Sequence, residues 1–255
     1  IFVTLTPIMS VVSQRTRRRA VVTLVLGALL TACGGGSGGG GLAGNPSPTP
    51  TVVVSGRVTF DRVPIGPGAT QGLNFAAVVL TPVRAVTVEA LAQSGGAVLA
   101  TAVTNAAGDF SLTVPASTGM SLRVKAELVR TGAPAFAFRV RNNTANNALY
   151  ALDGAAFDSG TANQQRNLHA ASGWGGAGYT GPRAAAPVAI LDTVYQAYNL
   201  VLSAEPNASF PALDLFWSAN NRVGDSSCSV DRASIATGVI CTTFFLPSVA
   251  NPAAS

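Results

Sequence analysis

From residue 52 onward the chain keeps a period of two, and that period limits what it can fold into. Val52, Val54, Gly56, Val58 and Phe60 alternate with Val53, Ser55, Arg57 and Thr59. The pattern returns at Val86, Val88 and Ala90, at Phe110, Leu112 and Val114, at Leu122, Val124, Ala126 and Leu128, and at Phe136, Phe138 and Val140. Arg123, Lys125 and Glu127 fill intervening places. Successive side chains of a strand point to opposite faces, so each run dries one face and wets the other. Turn-forming stretches separate the runs, at 94–96, 105–109, 117–119 and 131–134. About seven short strands at such spacing predict a mainly β fold, an antiparallel β-sandwich over residues 52–153. With 48% hydrophobic and 11% charged residues the chain can fill a core, which excludes a charged, disordered one.

Residues 154–255 read differently, as a smaller α+β segment that is incomplete by itself. Asn163 to Asn167 is polar, and His169 to Gly181 is glycine-rich around Trp174 and Tyr179. Arg183 to Ala204 predicts a helix, with Pro182 and Pro187 near its start, where proline is tolerated. Ile190, Val194, Ala197, Tyr198 and Val201 would form its apolar stripe. Leu213 to Ser218 and Val239 to Leu246 predict strands, and Asp225 to Ser229 a polar loop.

The residues ahead of the sandwich are read as an address. Arg15, Arg17, Arg18 and Arg19 precede the apolar run Ala20 to Leu30, which ends in Leu30-Thr31-Ala32-Cys33. A basic stretch, a short apolar stretch and small residues make a secretory signal. Eleven apolar residues are too few for a mature membrane span, which needs about 20. Residues 1–32 are therefore expected to be a signal peptide, with Ile1 to Ile8, ahead of the first Met, set aside as upstream sequence. Residues 33–51 join a Gly-rich tether (Gly34 to Gly41) to a stiffer Pro-rich piece (Asn45 to Thr51). The tether is no phosphate-binding loop, because no strand precedes it and no Gly-Lys-Ser/Thr follows. The net charge of +5 also belongs to the leader: from Cys33 onward there are 12 basic and 11 acidic residues. The electrostatic case for a nucleic-acid partner falls with it.

Three stretches resemble known families. Leu30-Thr31-Ala32-Cys33 resembles the bacterial lipobox, which implies a covalent lipid on Cys33, cleavage before it and a membrane anchor. Gly34 in place of an Asp points to the outer rather than the inner membrane. Gly56-Arg57-Val58, Val86-Thr87-Val88 and Thr104 through Gly108-Asp109-Phe110-Ser111-Leu112 resemble the carboxypeptidase regulatory-like domain, a small transthyretin-like sandwich. There Gly108 would take a positive φ in a turn and Phe110 would start the next strand pointing inward. Domains of that family are usually non-catalytic spacers or binding modules. A long insertion, Pro64 to Thr81, departs from it. Arg166 to Trp174, Tyr179 to Pro187, Ala189 to Asp192 and Leu213 to Ser218 resemble the middle of exported zinc metallopeptidases, whose His-Glu-x-x-His helix lies further downstream. That implies the front part of such an enzyme, with zinc bound only by a domain this chain lacks.

No catalytic constellation is complete in the chain. Its single histidine, His169, has no His-Glu-x-x-His around it, and a zinc peptidase needs two His one helical turn apart with a Glu base. No cofactor or metal is expected. His169 as a general base has no nucleophile motif beside it. Trp174, Tyr179 and His169 form a candidate binding surface for a cell-surface polymer or a protein, with Trp217 expected in the core and Trp174 over its edge. With Cys33 lipidated, Cys228 and Cys241 remain as an even pair in an oxidising compartment, which predicts a disulfide.

Overall fold

The computed structural model describes residues 2–5, 49–68, 72–224, 232–241 and 245–246. Cys33, Cys228, the Gly-rich tether and residues 6–32 of the signal segment lie outside the described residues. Among the described residues the fold is mostly β, two large sheets and a small two-stranded one with one long helix, as the period of two predicts.

The second sheet is built around β2 (Thr51–Arg62). Along one edge β2 pairs antiparallel with β6 (Asp109–Pro115) and then with β3 (Val79–Pro82). Along its other edge it pairs in parallel with β12 (Gln164–Gln165) and β13 (Leu168–Ala170). The first sheet is wider. It runs β5 (Val98–Val103), β4 (Val86–Ala92), β7 (Gly119–Arg130), β8 (Phe136–Asn142), β14 (Leu213–Phe216). β10 (Ala151–Asp153) and β11 (Phe157–Asp158) also pair with β7, and β9 (Ala148–Leu149) pairs with β8.

The inward series are those the alternation gives. Val54, Val58 and Phe60 of β2, Val86, Val88 and Ala90 of β4, and Leu128 and Val140 are fully enclosed. Positions between the inward residues of the first sheet carry a cross-strand charge ladder, in which Glu127 is itself buried. Lys125 bridges Glu89 (3.3 Å) and Glu127 (2.9 Å), Arg139 meets Glu127 (3.3 Å), and Arg141 meets Asp214 (2.9 Å). Thr104 and Gly108 explain the turn ahead of β6. The Thr104 hydroxyl accepts from Val86 N (3.1 Å), Asn105 Oδ1 accepts from Ala107 N and Asp109 N (both 2.9 Å), and Gly108 has φ +81°. A Cβ at Gly108 would lie 2.5 Å from the Val58 carbonyl oxygen. Phe110 follows into the core, 5% exposed.

The sequence divides the chain at 153/154, but the strands beyond that point complete both sheets, and residues 50–255 form one compact unit. The polar stretch 163–167 is what stitches them to β2. Asn163 Oδ1 accepts from Val53 N and Asn167 Oδ1 from Arg57 N (both 2.9 Å), while Arg166 N donates to the Ser55 carbonyl (2.7 Å). The backbone crosses so close there that a Cβ on Gly56 would sit 1.9 Å from the Arg166 oxygen.

The helix α1 (Ala185–Ala204) packs on β7 and β8 of the first sheet and on β2 of the second. Pro187 falls in its first turn, where no intrahelical donor is lost. Its buried face is turned from the expected stripe. Val188, Leu191, Asp192 and Tyr198 are buried, whereas Val201 is 44% exposed and Ala197 is exposed too. Asp192, Gln196, Asn199 and Ser203 share one stripe, so apolar periodicity points away from Asp192, which is nevertheless buried. The carboxylate of Asp192 fixes the buried face. That group is bonded by both Nε (2.9 Å) and a terminal nitrogen of Arg84 and by Gln196 Nε2 (2.8 Å). Tyr198 then packs on Phe136 and Phe138, with ring centroids 4.7 and 6.1 Å away.

Two further differences concern the ends. Phe2–Leu5, set aside on the sequence, forms β1, antiparallel to β14. An open strand edge offers backbone groups that any short extended segment can satisfy. The strand expected over 239–246 is two short ones, β16 (Val239–Ile240), parallel to β15 (Arg222–Val223), and β17 (Phe245–Leu246), parallel to β1. A short helix, α2 (Arg232–Ala236), precedes β16. Among the described residues no helix is long and apolar enough to cross a membrane.

Candidate binding surface

The glycine-rich stretch after β13 closes into a tight hairpin. Gly173 O accepts from Thr180 N (3.0 Å) and Gly181 N (3.1 Å), and Gly175 N donates to Gly178 O (2.7 Å). Gly173 has φ +76°, and a Cβ there would lie 2.5 Å from the Gly181 oxygen, so glycine is required on both counts. The hairpin sets Trp174 opposite Tyr179 as a bridge pair.

The insertion between β2 and β3 reaches the same place. Ile65 bridges to Leu73, and the Asn74 side chain accepts from Ala76 N (3.1 Å), starting a single 3₁₀ turn at Phe75–Ala77. That turn delivers Phe75 flat onto Trp174, with centroids 4.0 Å apart and planes 10° from parallel. Tyr179 stands edge-on to both rings, 5.6 Å from Phe75 and 5.3 Å from Trp174. The Arg183 guanidinium lies 3.5 Å over the Tyr179 ring. Beside the rings Ile65 is 80% and Leu73 51% exposed, and a shallow depression is lined by Leu73, Asn74, Phe75, Trp174 and Gly176. The cluster is thus an aromatic platform set in an apolar surface, the composition expected of a recognition patch rather than of ordinary solvent-facing loops.

Trp174 and Tyr179 are therefore brought together as a surface. Trp174 does not cover Trp217, which packs on Tyr150 instead, 5.6 Å between centroids. Phe75 is the residue the sequence does not connect to the site, because nothing local links the insertion to a hairpin about a hundred residues later; Arg183, four residues after Tyr179, reads in the sequence only as the start of the helix.

His169 belongs to the support of this loop. On β13 it faces β2, with Nδ1 3.1 Å from the Thr59 hydroxyl and Nε2 3.1 Å from Asp61 Oδ1. A donor at Nε2 toward Asp61 leaves Nδ1 of a neutral ring to accept from Thr59. Asp61 Oδ2 accepts from Ser172 N (2.8 Å), and Ser172 Oγ in turn accepts from Trp174 N (3.4 Å). The trio satisfies itself on the outer face of a sheet and holds the root of the Trp174 hairpin. Of the cysteines, Cys241 is half-buried just after β16, while Cys33 and Cys228 lie outside the described residues. Among the described residues no group of three or more His, Cys, Asp or Glu could hold a metal ion.

No family model and no curated protein matches the chain. Solved structures that resemble it weakly include these two. One is a 9R-lipoxygenase from Cyanothece PCC8801, 12% identical, with TM-score 0.24, over 47% of this chain and 16% of that one. The other is a DUF3823 family protein from Parabacteroides merdae ATCC 43184, 16% identical, with TM-score 0.22, over 48% of this chain and 46% of that one. The matched region spans less than half of either neighbour.

Proposed function

We propose that this chain is an exported, lipid-anchored, non-catalytic surface module that holds a cell-surface polymer or a protein partner on its aromatic platform. The observation that carries the binding role is the stacked Phe75–Trp174 pair, edged by Tyr179, beside exposed Ile65 and Leu73. Flat rings on a rigid support supply contact area with little ordering entropy, which is why Trp and Tyr dominate binding hot spots. The platform rests on a hairpin pinned to β2 through His169 and Asp61, so its geometry is set before a ligand arrives.

The lipid on Cys33, the regulatory-like sandwich and the outer-membrane location are part of this proposal and rest on the sequence. A Cys228–Cys241 bridge belongs to it as well, and rests on the even pair of cysteines left once Cys33 is lipidated. Intact-mass measurement on the exported chain tests the anchor: a chain starting at a diacylglyceryl Cys33 agrees with it, and an unmodified Cys33 thiol overturns it. The binding role is tested by retardation in polysaccharide-affinity gels and by partner capture, each repeated with Trp174→Ala. Retention that survives the substitution would remove the platform from the account.

A second reading makes the chain the front of an exported zinc metallopeptidase, its sandwich a membrane-proximal spacer. It is favoured by the sequence resemblance over residues 166–218 and by the exposed Leu200 (73%) and Val201 on α1, which a further domain would cover. Reading the coding DNA beyond Ser255 for a His-Glu-x-x-His helix decides it.

A further inference from the structure

A second concavity lies apart from the Phe75–Trp174 stack, at the start of α1. It has a volume of about 340 Å³ and is walled by Val124, Ala126 and Leu152 of the first sheet, Pro187 and Val188 of α1, and Trp217. That volume falls in the range of small-molecule sites, roughly 300–1,000 Å³, and the walls are mostly hydrocarbon and aromatic. The hydroxyls at its wall already have partners: Tyr150 donates to the Trp217 carbonyl (3.2 Å), and Ser218 Oγ lies 2.7 Å from Thr144 Oγ1.

One charged residue lines the cavity, Arg183, and no acid does. Arg84, Arg123, Arg139 and Arg141 each meet a carboxylate. Among the described residues no carboxylate pairs with Arg183; its guanidinium rests on the Tyr179 ring, which leaves its N–H edge available. An apolar chamber with a single cation at its wall discriminates in two ways. Hydrocarbon is favoured inside, and an anion is favoured at one end only. We propose that this cavity binds an apolar molecule ending in one carboxylate, of the size and chemistry of a medium-chain fatty acid, with the carboxylate on Arg183. This site goes beyond the platform reading; the two share Arg183, whose guanidinium rests on Tyr179 of the platform.

The test uses the full chain with Trp174→Ala, which leaves Trp217, in the cavity wall, as the single tryptophan. Decanoate, decan-1-ol and decylammonium are titrated below their micelle concentrations while Trp217 fluorescence is followed, and calorimetry on the unsubstituted chain repeats the series. Expected are saturable decanoate binding, at least tenfold weaker decylammonium binding, and a loss of about tenfold or more in decanoate affinity with Arg183→Met that spares decan-1-ol. Ala151→Trp, at the exposed rim, should block all three ligands. Equal binding of decanoate and decylammonium, no saturation by decanoate at millimolar concentration, or no effect of Arg183→Met would each overturn the proposal. The comparison of the two charged ligands needs no substitution at Arg183, so it stands even if that variant folds poorly. Because the platform tryptophan is absent in the fluorescence series, failure here is distinct from failure of the platform.

Discussion

Asp192 is 4% exposed at its side chain and Arg84 23%, so the pair that docks α1 is largely out of water. Replacing Arg84 with Met strands the Asp192 carboxylate against Gln196 alone. Breaking a buried pair from one side costs about 3–5 kcal/mol, and the partial exposure of Arg84 brings the expectation to the lower end, about 3 kcal/mol. Asp192→Leu leaves the more accessible partner behind, where water can reach it, so about 1–3 kcal/mol is expected there. The double variant Arg84→Met/Asp192→Leu removes both charges and packs apolar volume under α1, and should lie within about 1 kcal/mol of the parent. Against a typical total of about 5–15 kcal/mol these losses are easily read. Urea unfolding followed by circular dichroism gives all three values, with a melting shift of roughly 2–4 °C per kcal/mol for a domain of this size. The Arg84→Met loss should fall mainly on contacts of α1, including Tyr198 with Phe136 and Phe138. If Arg84→Met costs less than about 1 kcal/mol, or if the double variant is as unstable as the two singles summed, the pair does not set the helix face and the reasoning fails.

Further expectations follow from the same physics. Gly56→Ala should loosen β12 and β13 from β2, because its methyl would occupy the Arg166 carbonyl position, and hydrogen exchange should rise at Arg57 and Arg166 while β4 and β7 stay protected. Unchanged exchange would mean that the crossing is not that close. Gly108→Ala combines an unfavourable positive φ, worth roughly 1–2 kcal/mol, with a clash against Val58 O, so a loss above about 2 kcal/mol is expected in urea melts. The hydrogen bond from Arg57 holds the Asp109 carboxyl below its ordinary range. A depressed carboxyl contributes stability above its unfolded value and loses it on acidification through the folded one. The stability gap between the parent and Arg57→Met should therefore close as pH falls below about 4, and a gap that persists at pH 2 would contradict the assignment. Thiol titration of the unreduced, denatured mature chain should find neither Cys228 nor Cys241 free.

Much of the fold can be read in the sequence because it is locally encoded. The inward residues of β2, β4, β6, β7 and β8, the turn at Gly108 and the limits of α1 follow from alternation, glycine stereochemistry and helical apolarity. What could not be read depends on pairing across distance. That His169 lies beside Thr59 and Asp61 rests on a parallel register between segments 110 residues apart, and no local pattern encodes such an offset. The face of α1 is decided by Arg84 meeting Asp192, not by the helix itself. The platform is half legible: Trp174 and Tyr179 stand out in a glycine-rich stretch, but Phe75 sits in an insertion that offers no sign of where it lands.

The central claim, that the stacked rings bind a ligand from outside the chain, is tested most directly by affinity electrophoresis through gels containing the surface polysaccharides of the producing cell. The unsubstituted chain, Trp174→Ala and Phe75→Ala would be run side by side, with circular dichroism confirming the fold of each. The account predicts retardation of the unsubstituted chain by at least one polymer, or capture of one protein partner, with affinity reduced about thirtyfold by either ring deletion, as for a hot spot of roughly 2 kcal/mol. Equal mobility of all three chains in every gel, together with partner capture unaffected by the substitutions, would contradict it.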